Sequence, residues 1–129
     1  MPMRITIEGI QEAQAWNLRK MAALKPSGAM GRAILYGTTA AHRSAVSLTH
    51  VDTGALRASH RMQMFGEHEG QVLIDAGATN PSGQLTSVYG PAEHSRGGSH
   101  AFYARTVAED GPAIKAEMLD IIRTGVTIA

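Results

Sequence analysis

The ten residues His50–Val51–Asp52–Thr53–Gly54–Ala55–Leu56–Arg57–Ala58–Ser59 constrain this chain more than any other stretch, because they join an apolar helical run to a strand-like run through a compact turn. Asp52 and Thr53 carry side-chain oxygens suited to accept from free backbone N–H groups at the start of a short helical turn. Gly54 relieves steric limits where the chain reverses. Asp52, Thr53, Gly54, Leu56 and Arg57 therefore read as a structural turn, a geometric device.

The flanking periodicities predict an α+β chain. Residues 3–8 alternate apolar and polar side chains at the two-residue period of a half-buried strand, and Gly9 ends it. From Ile10 to Leu24 the residues are good helix formers with an imperfect apolar face through Trp16, Leu18 and Met21, before Lys25–Pro26–Ser27–Gly28 interrupts. Met30, Ala33, Ile34, Gly37, Ala41, Ala45 and Leu48 then recur at three- and four-residue steps, which predicts a long amphipathic helix with a small-residue face. Gly37 costs such a helix about 1 kcal/mol relative to alanine, a cost tolerated where another backbone packs close.

Beyond the turn, residues 59–65 and 71–76 read as two strands, with Met62 and Met64 on one face and Gly66–Gly70 as the hairpin loop. Residues 77–87 are turn formers and small polar groups and read as a flexible surface loop, and residues 95–100 read as a second, glycine-rich arm. A short helix over 101–109 follows. Asp110–Gly111–Pro112 then punctuates the chain, and a terminal helix turns Ile114, Met118, Ile121 and Ile122 inward with Pro112 in its first turn.

Length and composition narrow the function classes. The 129 residues suit one domain, and 12 Lys and Arg against 11 Asp and Glu leave a formal charge of +1, far from the basic balance of a dedicated nucleic-acid binder. The absence of cysteine excludes disulfides and thiolate metal sites. No run approaches the roughly 18 apolar residues of a membrane span, and the N-terminus does not read as a secretory signal, so a soluble, intracellular product is expected. Large rings are scarce, with one Trp, two Phe and three Tyr, so the core packs thinly and help from neighbouring subunits is expected, although composition also fits an ordinary monomer.

Each candidate for chemistry has a structural counterpart. The order Asp-Thr-Gly occurs in aspartic proteases, where paired carboxylates share a proton, but here no second copy exists and the flanks are not the apolar strands of that site. None of the six histidines, His42, His50, His60, His68, His94 and His100, sits in a spacing that places two on one helical face, so no metal and no cofactor are expected. Glu93–His94 with His100 is the one cluster, and without a third fixed ligand it reads as a solvated loop pair. Ser95–Arg96–Gly97–Gly98–Ser99 lacks the Lys-Ser or Lys-Thr of a phosphate loop. Ser44, Ser47 and Ser59 have histidines nearby in sequence but no triad follows from that. Arg57, Arg61, Arg96 and Arg105 suit subunit ion pairs as well as phosphate. No catalytic residue is assigned.

The ordered set of Val51–Asp52–Thr53–Gly54–Ala55–Leu56–Arg57–Ala58–Ser59, then Tyr89–Gly90–Pro91–Ala92–Glu93–His94, then His100–Ala101–Phe102–Tyr103 and a final helix resembles a family of head–tail joining proteins of long-tailed bacteriophages, the neck, tail-completion or minor tail proteins. The first segment matches that family's Pro-x-Asp-Thr-Gly-x-Leu-Arg-x-Ser, with His50 where proline is common. The second stands in the place of its Tyr-Ala-x-x-x-Glu segment, without the Gly-Thr after Glu93. The resemblance covers nearly the whole chain as a single domain. It implies an α+β fold in which an antiparallel sheet with a β-hairpin packs against a long Ala-rich helix and a C-terminal helix.

It further implies a homo-oligomeric ring in the virion, made in the host cytoplasm. The ring would sit between connector or head-closure proteins and tail-terminator or tail-tube proteins. DNA would pass only as genome in the lumen, and no membrane is involved. Residues 77–100 form one expected subunit patch, with Tyr89, Glu93, Arg96 and Phe102 as interface candidates. The alternatives are a tail terminator capping the tube and, from another class, a small hydrolase using Asp52 or a metal-dependent one using His94 and His100.

Overall fold

A computed structural model of the protein describes residues 3–25, 27–51, 54–65 and 68–129. The chain runs through helices α1 (Ile10–Ala23), α2 (Ala29–Leu48) and α3 (Ala55–Ala58), then strands β1 (His60–Phe65) and β2 (Glu69–Ile74). Helices α4 (Thr86–Ser95), α5 (Phe102–Arg105) and α6 (Gly111–Ile128) complete it. The architecture is α+β: an antiparallel hairpin packed on helices, α2 lying against both strands and against α6.

The small-residue face of α2 explains how two long helices approach. Ala29, Ala33, Gly37 and Ala45 are buried along it. Methyl-sized side chains leave no ridge, so α6 settles close to the α2 backbone. At Gly37 the close neighbour is the Met118 side chain of α6, rather than another backbone, and an added Cβ would overlap its sulfur. Gly125 of α6 lies against Ala29 in the same way.

The apolar core is small: Ala23, Ala29, Ala33, Ala45, Leu56 and Phe102, with Phe102 the largest at 1% exposure. Polar side chains fill much of the remaining interior, and each is bonded, as burial demands. Ser44 Oγ donates to Asp110 Oδ2 at 2.5 Å and meets Thr106 Oγ1 at 3.2 Å. Thr49 Oγ1 donates to Ala45 O at 2.6 Å. Having spent its one hydrogen, that oxygen accepts from His60 Nε2 at 2.7 Å, which leaves His60 Nδ1 to accept the Tyr103 hydroxyl at 2.9 Å. His60 is thus a neutral imidazole in a closed chain of bonds, and burial with His42 beside it pulls its pKa down to about 4. Burial also pushes the Tyr103 hydroxyl up to about 12.

Several sequence expectations need correction. Residues 3–8 form no strand: β1 and β2 pair only with each other, and within the chain this segment pairs with neither of their outer edges; Met3 and Ile5 are 87% and 80% exposed. The apolar face of α1 is also outside the core: of its residues only Ala23 is buried, and Trp16, Leu18 and Met21 are more than half exposed. What ties α1 down is Lys20, whose ammonium reaches Val126 O, Thr127 O and Ala129 O and so caps the negative end of α6.

The hairpin pairs from Phe65↔Glu69 to His60↔Ile74, so Glu69 and Gly70 belong to β2 and not to the loop. Gly66 and Glu67 of that loop lie outside the described residues. Residues 86 and 87, expected in the loop, begin α4. The segment before them is closed by a Thr79↔Leu85 bridge and by Asn80, whose Oδ1 accepts Gln84 N–H at 2.9 Å. The break expected at Asp110–Gly111–Pro112 is instead a π turn over Thr106–Asp110 that leads directly into α6. Pro112 lacks an N–H and crowds the carbonyl four residues back, and a widened turn accommodates both effects.

Candidate functional site

The site builds outward from the end of α2. Thr49 leaves helical geometry at ψ 127°, which swings His50 away from the helix axis. Arg57 of α3 then satisfies the helix's last free carbonyls, donating to Thr49 O at 3.1 Å and Ser47 O at 3.4 Å. Gly54 stands at φ 85°, the left-handed region that favours glycine, as the turn reading requires. Leu56 is buried under α4, where Gly90 leaves room for it. Asp52 and Thr53, expected to cap this turn, lie outside the described residues.

Helix α4 brings Glu93 over the turn. After it, Gly97 and Gly98 take positive φ of 71° and 56°, and the chain folds back through a 3₁₀ turn at Gly98–His100. The arm expected at 95–100 is therefore laid against α4: His100 Nδ1 meets Glu93 Oε1 at 2.5 Å, and Arg96 Nη1 donates to Glu93 Oε2 at 3.1 Å. The hydrogen bond from His100, aided by Arg96 and opposed by burial, holds the Glu93 carboxyl below its usual range. The ring of His50 lies 4.2 Å from that of His100, tilted by 50°. These groups line a cleft of about 480 Å³ that also receives Tyr89, Asn80 and Gln84.

The sequence-level candidates divide accordingly. Tyr89, Glu93 and Arg96 share the cleft. Phe102, expected at a subunit interface, is a core residue with no surface to offer a partner. His94, expected beside His100, turns the other way: its Nε2 accepts Ala104 N–H at 3.2 Å and its ring packs edge-on against Phe102 at 5.1 Å. The arginines do not form a common phosphate face. Arg61 pairs with Asp75, Arg96 with Glu93 and Arg105 with Glu109, while Arg57 serves the end of α2. Ser44 bonds Asp110 and Ser59 bonds Leu56 O, so neither hydroxyl is set as a nucleophile.

Sequence reasoning missed His50, which comes from 43 residues before Glu93 and meets it only in the fold. Among the described residues, His50, Glu93 and His100 are the one group whose potential ligand atoms converge, all lying within 4.8 Å of one another. It also missed the His60 relay, for which the alternation in β1 gives only the direction of the ring. None of the described helices is long and apolar enough to cross a membrane. No family model, curated protein or solved structure matches this chain.

Proposed function

We propose that this protein is a structural subunit of a phage head–tail junction, closing with its own copies into a neck or tail-completion ring that joins the capsid connector to the tail tube and leaves a channel for DNA. The observation that carries the assembly half of this reading is the unpartnered apolar surface of residues 3–24. Ile5 and Ile7 alternate with polar residues as a strand would, yet are 80% and 72% exposed, and Trp16, Leu18 and Met21 of the helix that follows are more than half exposed as well. A two-stranded sheet has two open edges, and an extended segment with the right alternation adds to such an edge through backbone hydrogen bonds. In a ring, each copy would lend that segment to its neighbour, a head-to-tail contact that closes on itself. The head–tail part of the reading rests on the sequence resemblance.

Light scattering coupled to size exclusion tests the assembly, with the chain alone and mixed with a tail-tube or portal-side protein. The expected species is a closed multiple of the 13.7 kDa chain. Ile5→Ser with Ile7→Ser should return it to single copies without loss of helical signal, because neither residue contributes to the core. A monomer in every mixture would overturn the proposal.

A further inference from the structure

We infer that His50, Glu93 and His100 form a binding site for one divalent transition-metal ion of the zinc class, with at least one coordination position open to the cleft. Two imidazoles and one carboxylate are a ligand set that Zn²⁺ accepts, and three protein ligands leave room for water or another group. The three side chains come from three separate segments: the turn after α2, helix α4 and the 3₁₀ turn. Their ligand atoms lie within 4.8 Å of one another, whereas tetrahedral ligands about 2.1 Å from zinc stand roughly 3.4 Å apart. The excess over that spacing is at most about 1.4 Å.

The bland alternative is that Glu93 and His100 are an ordinary hydrogen-bonded pair. It leaves His50 unaccounted for. Among the described residues the His50 ring makes no hydrogen bond; it is exposed in the cleft, its ring 4.2 Å from that of His100, whose Nδ1 is engaged by Glu93. Among the described residues Arg96 is the arginine or lysine lining the cleft, and its Nη1 lies nearer Oε2 of Glu93, at 3.1 Å, than Oε1, at 3.4 Å, the oxygen that also meets His100 Nδ1. The site is complete within one chain, so it stands or falls independently of the ring.

The test is calorimetric titration of the chelator-treated protein with Zn²⁺ at neutral pH, with the visible absorption of added Co²⁺ as a second probe. One ion should bind per chain, and Co²⁺ should give the intense bands of a low-coordinate histidine site. His50→Ala and His100→Ala should each weaken binding by at least the roughly 10–100-fold that loss of even an outer-shell partner costs. His68→Ala should not, since that ring bonds Leu24 O far from the cleft. Zinc should also raise the melting temperature of the unaltered protein. Absence of stoichiometric binding to the unaltered protein would overturn the inference even if the variants failed to fold. So would affinity that survives His50→Ala with His100→Ala.

Discussion

Acid should destabilise this protein through His60 more than through any other described histidine, and the size of the effect follows from the bonds around that ring. His60 is 2% exposed, with Nε2 donating to Thr49 and Nδ1 accepting from Tyr103. A proton can enter only at Nδ1, where it meets a hydroxyl already pointing inward and creates a charge with no carboxylate among its bonded partners. The folded protein therefore takes that proton near pH 4, against about 6.5 when the ring is in water. Between those values the unfolded chain binds more protons than the folded one. His60's contribution to stability is thus full above about pH 6.5, falls as pH is lowered through that window, and is gone below about 4. A separation of about 2.5 pH units corresponds to about 3 kcal/mol, a large part of the 5–15 kcal/mol that holds a domain together.

Urea unfolding followed by circular dichroism at several pH values from 7 to 4, for the unaltered protein and His60→Gln, isolates the effect, since carboxylate titrations are common to both. The stability difference between the two should shift by about 3 kcal/mol in favour of the variant over that range. Parallel pH profiles, or a His60 ring resonance titrating near 6.5, would refute the reasoning.

Two further outcomes follow from the packing. Phe102→Ala should cost about 3–5 kcal/mol of unfolding free energy, because the largest fully buried side chain is removed from a core too thin to collapse around the loss. Gly125→Ala should cost about 1–3 kcal/mol, since its Cβ meets the Cβ of Ala29, fixed to a helix backbone. Gly37→Ala should cost less, because its Cβ meets the flexible end of Met118, and alanine regains about 1 kcal/mol of helix propensity. Melting temperatures of the three variants, ranked side by side, check both statements.

The parts of the fold written in local periodicity were legible. The three- and four-residue recurrence from Met30 to Leu48 announced the helix that the structure places over Ala29–Leu48, the alternation around Met62 and Met64 announced the hairpin, and Pro112 marked the first turn of α6. What failed depended on partners distant in sequence. Residues 3–8 carry a strand's alternation, but a strand exists only where another backbone completes its ladder. Phe102 has the composition of an interface residue, and only the fold reveals that its ring lies between His60 and His94. Glycines at 97 and 98 read as slack, whereas their positive φ values tighten the chain into a return.

The cleft illustrates the same limit in its sharpest form. The sequence offers Glu93–His94 with His100 as one cluster, and without a third fixed ligand that cluster reads as a solvated loop pair rather than a metal site. The third group comes from the turn that the Asp-Thr-Gly segment was read as building for structural reasons. Thr49 ends α2 in an extended conformation, Arg57 holds the exposed carbonyls in place, and Leu56 anchors the turn beneath α4. The consequence of that anchoring is positional: His50 is carried to the one side of α4 where Glu93 and the returning His100 already stand. The end of α2 and the anchoring of α3 thereby determine where His50 stands, and His50 is the residue whose replacement most directly tests the cleft while leaving Arg57 and Leu56 in place.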